Sequence, residues 1–228
     1  MKIYFVRHGH PNYKDDCLTP LGHRQAEAAA LRLADAGIEQ IYASTCGRAW
    51  ETAGYTARRL GLDVVPCDFM REISWSSIDE TELPQRGNPW LMAAEQANCG
   101  TCFTHPDWAE REPYCHSRMV ECCAKVAAGI DSWLAGLGYT REGGNYRVGE
   151  GNARTVAMFS HGGSSSAAMS HMVNLPFPQF CGTFLLDFTS ITVMELSDEP
   201  GRLAAPVFRT VNDARHIAGL DAELVFGN

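Results

Sequence analysis

Ile3-Tyr4-Phe5-Val6-Arg7-His8-Gly9-His10, near the start of the chain, joins four apolar residues to a polar and glycine-bearing end. A short apolar run without polar alternation reads as a strand buried on both faces, as in a parallel sheet. Its carboxyl end delivers a cation and an imidazole, Arg7 and His8. Gly9 lets the backbone turn sharply and lets a ligand come close. Ligands in open α/β sheets bind outside the carboxyl ends of the strands, so a site is expected here before any other residue is read.

Strand, histidine and glycine recur in the same order downstream, where Thr155-Val156-Ala157-Met158-Phe159 runs into Ser160-His161-Gly162-Gly163. A third apolar stretch, Ile41-Tyr42-Ala43-Ser44, leads through Thr45-Cys46-Gly47 to Arg48 at the start of a helix. If the three strands are parallel, two histidines and two arginines meet on one edge of the sheet. The fold class expected from these elements is α/β.

These pieces, with Leu18-Thr19-Pro20-Leu21-Gly22-His23-Arg24-Gln25-Ala26, the segment from Ser44 to Ala53 carrying Arg48 and Thr52, and the Arg71-Glu72 pair, resemble the histidine phosphatase superfamily in its phosphoglycerate mutase-like branch, branch 1. The matching segments reach both ends of the chain and leave residues 74 to 112 unmatched. The resemblance implies a three-layer α/β/α sandwich around a mostly parallel sheet. It also implies one domain over residues 1–228 with a cap inserted at about 74–112.

The chemistry the resemblance implies is a metal-independent phosphatase that hydrolyses a small phosphomonoester through a phosphohistidine on His8, with no cofactor. A neutral imidazole held through one ring nitrogen presents the other to phosphorus. Arg7 and Arg48 can offer forked donors to a phosphoryl dianion, and His161 would add a further donor. Expelling an alkoxide needs a proton; the resemblance points to Glu72 as its source, with Asp68, Asp79 and Glu80 as rivals. His10 stands where many relatives carry an acidic or amide residue, and Asn12 lies closer to the nucleophile than the phosphate-binding asparagine of the mutases. His10 is read equally as a ligand or as a surface histidine. The acid phosphatase branch is excluded because Gly162 follows His161. A phosphoglycerate mutase-type phosphotransferase is the alternative, though Ile73-Ser74-Trp75 replaces the mutases' arginine-histidine-tyrosine-glycine segment. A non-catalytic phospholigand-binding protein ranks last.

Composition bounds the rest. At 228 residues and 45% hydrophobic, the chain can bury a sizeable core and is not disordered. A net charge of -8 argues against a nucleic-acid partner but allows a local cationic pocket. Met1-Lys2 leads into an apolar run too short for a signal peptide or membrane span, and nine cysteines read as reduced thiols, so a cytoplasmic protein without a membrane partner is expected. Cys99-Gly100-Thr101-Cys102 with Cys115-His116 fits no common zinc spacing, and free thiols are the reading taken.

Further elements follow from local signals. Thr19-Pro20 caps and begins a helix stopped by Gly37, and a second helix ends at Gly61. Leu62 to Pro66 reads as a strand, and Ser117 to Leu137 as a long helix with Val120, Cys123, Ala127, Ile130, Leu134 and Leu137 facing the core. Glu142-Gly143-Gly144-Asn145 signals a hairpin, Ser164 to Asn174 a helix, and Ser190–Leu196 and Pro206–Val211 strands joined by Asp198-Glu199-Pro200-Gly201. Trp75, Trp90 and Trp108 mark the insert either as a lid against an organic leaving group or as a satellite core or homodimer contact.

Overall fold

The computed structural model describes residues 1–100, 105–150 and 152–220. In chain order the elements are β1 (Lys2–Arg7), β2 (Pro11–Asn12), β3 (Cys17–Leu18), α1 (Pro20–Leu33), β4 (Gln40–Ala43), α2 (Gly47–Leu60), β5 (Val64–Pro66) and α3 (Pro89–Asn98). There follow α4 (Met119–Gly136), β6 (Tyr139–Glu142), β7 (Asn145–Val148), β8 (Thr155–Ser160), α5 (Gly162–Met172), α6 (Phe177–Thr183), β9 (Ile191–Glu195), β10 (Leu203–Ala204) and β11 (Val207–Asp213).

Six strands form the central sheet in the order β11-β9-β1-β8-β4-β5. β1, β8, β4 and β5 are mutually parallel, and β9 runs antiparallel to β1 and to β11. Period-two alternation splits the apolar strands between two cores. Ile3, Phe5, Val156 and Met158 face the core built with α4, α5 and α6, while Val6, Ala157 and Phe159 face the one beneath α1 and α2. Both faces of the two middle strands are therefore covered, which explains why their sequences read as continuous apolar runs. The register pairs Arg7 with Ser160, so the residues after both strands emerge side by side.

Local signals place the helices. Thr19 Oγ1 accepts from the Gly22 N–H at 3.1 Å, capping α1, and Gly61 closes α2 in the left-handed region at φ 68°. Helix α1 stops at Leu33, before Gly37. The buried stripe of α4 runs through Met119, Val126, Ile130 and Leu134. Val120, Cys123 and Leu137 pack at its margin rather than at its centre, because the stripe is rotated from the one expected. The Gly143-Gly144 turn joins β6 and β7 as an antiparallel hairpin, and β10 adds to β7, so the link from β9 to β11 is longer than a tight turn.

The segment between β5 and α4 is only partly irregular, since it contains α3. Its two ends are tied at the base: Arg118 N–H donates to the Ser76 carbonyl and Ile78 N–H to the His116 carbonyl, both at 2.9 Å. Trp75 and Trp90 meet edge to face at 6.0 Å, and Trp108 packs on Tyr114 at 5.5 Å. All three tryptophans lean on the larger core. Cys102 lies outside the described residues. No helix among those described is long and apolar enough to cross a membrane.

Candidate active site

The carboxyl ends of β1, β8 and β4 bring Arg7, His8, His161 and Ser44 together. Backbone bonds fix the convergence: His8 N–H donates to the Ser160 carbonyl at 2.9 Å and Ser44 N–H to the Phe159 carbonyl at 2.8 Å. The His8 ring is buried, and its Nδ1 lies 2.7 Å from the Gly9 carbonyl oxygen. A carbonyl can only accept, so Nδ1 carries the proton and Nε2 keeps its lone pair. Arg48 Nε donates toward that nitrogen across 3.3 Å. Burial, then the neighbouring His161 and Arg7, hold the His8 pKa well below its ordinary value, so the ring is neutral. Gly9 is required here: a Cβ would stand 2.6 Å from the Gly22 carbonyl oxygen of α1. Its own N–H is taken by Thr52 Oγ1 of α2 at 3.1 Å.

His161 stands with its ring centroid 5.1 Å from that of His8. Ser44 Oγ, which accepts the Cys46 N–H at 3.3 Å, lies 2.8 Å from His161 Nε2. With the serine hydroxyl donating to Nε2, the His161 proton resides on Nδ1. That Nδ1 and Arg7 Nε are buried polar atoms without a partner among the described residues. Buried polar atoms are rarely left unpaired, so both are open to a ligand's oxygens. Burial, with Arg48 and Arg7 behind it, lowers the His161 pKa well below the usual histidine value.

Arg7 is anchored by Nη1 on the Leu186 carbonyl at 2.5 Å, with its guanidinium 4.2 Å above the Phe188 ring. Phe188 also borders His8 at 5.7 Å and His10 at 5.4 Å. Arg48, in the first turn of α2, is only 8% exposed. Its Nη1 binds the Asp16 carboxylate, whose other oxygen takes the Gly47 N–H at 2.8 Å. Tyr13 lies 5.4 Å from the Arg48 guanidinium, 63% exposed at the mouth of the site.

Glu72 follows the strand β5 by way of a short 3-10 turn and reaches the amino end of α5. Its Oε1 accepts from Ser164 N–H at 3.0 Å and its Oε2 from Gly163 N–H at 3.4 Å. Burial raises its pKa, opposed by Arg7 and by those backbone donors. Gly163 is a glycine for lack of space, and Gly162 sits in close quarters. A Cβ at Gly163 would stand 2.7 Å from Glu72 Oε1, and one at Gly162 3.3 Å from Trp90 Cζ2 and 3.5 Å from Arg7 Nε. Both belong to α5, which begins directly after His161 rather than at Ser164.

The rival acids lie elsewhere. Asp68 accepts from Thr45 Oγ1, Asp79 holds His116, and Glu80 is exposed. Asn12 bonds Asp15 and the Lys14 N–H within its own turn. His10 Nδ1 lies 2.9 Å from Thr19 Oγ1, so its ring is tied to the cap of α1. Ser44, Asp16, Tyr13 and Phe188 are the site residues that sequence reasoning passed over, whereas Trp90 is among the tryptophans expected at a lid. Ser44 lay within a recognised segment, whereas nothing local marks Phe188.

Comparison with known proteins agrees with this geometry. The sequence model of the histidine phosphatase superfamily (branch 1) matches residues 3–207. A protein of Yersinia enterocolitica named probable phosphoglycerate mutase GpmB is 32% identical over 226 residues, covering 95% of each chain. One of the same name from Proteus mirabilis is 26% identical, covering 96% of each. Among solved structures, a mycobacterial glucosyl-3-phosphoglycerate phosphatase with inorganic phosphate superposes with TM-score 0.64 at 21% identity, over 94% of this chain and 98% of that one. A phosphoserine phosphatase mutant from Entamoeba histolytica with phosphoserine gives 0.60 at 20% identity, over 95% and 98%. Likeness at that identity is one of fold. The family match over nearly the whole length, on a sheet that gathers Arg7, His8, Arg48 and His161, assigns this chain to branch 1 of the histidine phosphatase superfamily.

Proposed function

We propose that this protein is a phosphomonoesterase in which His8 is the nucleophile. One observation carries the reading: His8 is buried, with Nδ1 pinned to the Gly9 carbonyl, so that Nε2 keeps its lone pair beside Arg48 and His161, with the Arg7 charge near. In the first step Nε2 forms a bond to phosphorus as the ester P–O bond breaks. Glu72, whose pKa burial raises, gives its proton to the departing alkoxide. In the second step water attacks phosphorus, the P–N bond breaks, and the Glu72 carboxylate takes the water proton. Arg7, Arg48 and the His161 Nδ1–H hold the phosphoryl oxygens through both steps, where fixed donors stabilise the charge that spreads over them. The phosphate enters by displacing the Asp16 carboxylate from Arg48, one anion for another.

Residues 74–112 act as the cap of a single domain. Trp90 Cζ2 and Arg7 Nε stand 3.3 and 3.5 Å from where a Cβ at Gly162 would be, so a leaving group beside Arg7 meets an aromatic wall. Substrate is a small phosphorylated molecule. Relatives whose names refer to phosphoserine and to a phosphoglycerate derivative suggest a carboxylated phosphate ester. The protein acts in the cytoplasm.

The relatives named as probable phosphoglycerate mutases favour a second reading, transfer of the phosphoryl group to another hydroxyl instead of water. Both readings share the first step. His8→Ala should abolish hydrolysis of an aryl phosphate while the circular dichroism spectrum stays unchanged. Full activity in that variant, or turnover only with added divalent metal, would contradict the proposal. Interconversion of phosphoglycerates without phosphate release would move the assignment to a mutase. A panel of sugar phosphates, nucleotides, phosphoserine and phosphoglycerates would then define the substrate.

A further inference from the structure

Outside the catalytic recess, one side-chain cluster brings together three different metal-ligating chemistries. Glu112, Cys115 and His116 each point one donor atom into the same space, and the three atoms lie within 4.8 Å of one another. We propose that this cluster is a zinc site, with Glu112, Cys115 and His116 as ligands, water in the fourth position and Asp79 as the outer carboxylate that orients His116.

The arrangement around His116 supports ligation. Its Nδ1 lies 2.6 Å from Asp79 Oδ2, and Asp79 is itself held by Ser77 Oγ and the Thr81 N–H, both at 3.2 Å on Oδ1. A carboxylate on the far ring nitrogen is what fixes the tautomer and direction of a metal-bound histidine. The near nitrogen, Nε2, then faces Glu112 Oε1 across 3.1 Å. Donor atoms around a tetrahedral zinc stand about 3.3 to 3.8 Å apart. The Glu112 side chain, 81% exposed, can turn to adjust its oxygen without disturbing the fold. A carboxylate, a thiolate and a neutral imidazole together balance the two charges of the ion. Mixed oxygen, sulfur and nitrogen donors suit zinc rather than magnesium or calcium, which take oxygen.

Neither the Cys99-to-Cys102 spacing nor Cys115-His116 alone displays this site, because Glu112 comes from three residues upstream and Asp79 from the other end of the insert. The ligands sit beside the pairing of Ser77 with Ser117 that closes the insert's base. Bound zinc would therefore fasten the turn carrying Asp79 to the start of α4, as a structural clip. Without a metal, Asp79, His116 and Glu112 form an ordinary chain of ion pairs in which the thiol of Cys115 plays no part. That difference makes Cys115 the decisive residue.

The test uses the full chain, stripped with a chelator and titrated with zinc alone against a chromogenic competitor. The expected result is one zinc per chain with Kd of about 1 μM or tighter. Cys115→Ser and His116→Ala should each weaken binding by about 100-fold or more, and Asp79→Asn by about 10- to 100-fold. Cobalt in place of zinc should give a sulfur-to-metal charge-transfer band that Cys115→Ser removes. Zinc at ~100 times Kd should raise the melting temperature of the parent protein by about 5 °C and leave that of Cys115→Ser unchanged. Cys115→Ser changes one atom, so it keeps the test decisive even if His116→Ala fails to fold. No binding tighter than about 100 μM, or an unchanged stoichiometry and cobalt band in Cys115→Ser, would overturn the site.

Discussion

Replacing Glu72 by glutamine separates the proton donor from the rest of the site. The amide oxygen can still accept the Ser164 and Ile73 N–H groups, both at 3.0 Å, so the side chain stays at the amino end of α5. What it loses is the proton, together with the acceptor for the weak 3.4 Å bond from the Gly163 N–H. An alkyl phosphate expels a strongly basic alkoxide and depends on that proton, whereas p-nitrophenolate leaves unaided. General acid catalysis contributes ~10²- to 10⁴-fold. We expect kcat/KM, which reports only the steps through phosphorylation of His8, to fall by about 10³ on an alkyl substrate such as phosphoserine, near 4 kcal/mol in activation free energy, and by less than about 10-fold on p-nitrophenyl phosphate. The pH profile supplies a second reading. Burial raises the Glu72 pKa, so the parent enzyme should lose activity on the alkyl ester as pH rises through that raised value, and the aryl ester should not show this limb. Steady-state kinetics on both substrates across pH provides the assay. Equal losses on the two esters would refute Glu72 as the acid and leave it a structural cap of α5.

Other consequences can be checked alongside. Ser44→Ala leaves His161 Nε2 without its 2.8 Å partner in a buried place, which should cost about 1–3 kcal/mol in denaturant unfolding and lower kcat/KM. Gly163→Ala places a methyl group 2.6 Å from Ile73 and 2.7 Å from Glu72 Oε1; stability should fall by about 1–3 kcal/mol, with loss of alkyl phosphatase activity, and an unaffected variant would show that α5 yields there. Phe188→Leu removes the ring 4.2 Å beneath Arg7, worth ~0.5–2 kcal/mol, and should raise KM more than it lowers kcat. His8 and His161 are buried neutral, each with a pKa well below 6.5, so below that pH the unfolded chain binds more protons than the folded one. Their contribution is intact above about pH 6.5 and is lost as pH falls toward the folded values. The melting temperature should thus drop between pH 7.5 and 5.5, and less so in His161→Asn; an identical drop would contradict the assignment.

The strands that carry the site were legible because β1 and β8 are apolar on both faces, and their terminal histidines mark the carboxyl edge. Helix α3 lies in the stretch of 74–112 that the family resemblance leaves unmatched, yet Asn88 caps it through the Leu91 N–H and Pro89 takes the first helical position, the same device as Thr19-Pro20 in α1. A rotation of the stripe on α4 is not visible from periodicity alone, since Met119 and Val126 are as apolar as the residues chosen. Phe188 and Leu186 come from an irregular stretch beyond α6 and acquire their place beside Arg7 only through the sheet order. Asp16 belongs to a polar turn; its backbone, at φ 50°, aims its carboxylate at Arg48.

The proposed chemistry turns on one nitrogen atom, His8 Nε2. Mixing the enzyme with excess phosphoserine or p-nitrophenyl phosphate, quenching in base within milliseconds and mapping the modified peptide by mass spectrometry reads it directly. The expected result is one phosphoryl group on the peptide containing His8, labile to acid and absent from His8→Ala. Turnover without any phosphorylated peptide, or the phosphoryl group on another residue, would contradict it.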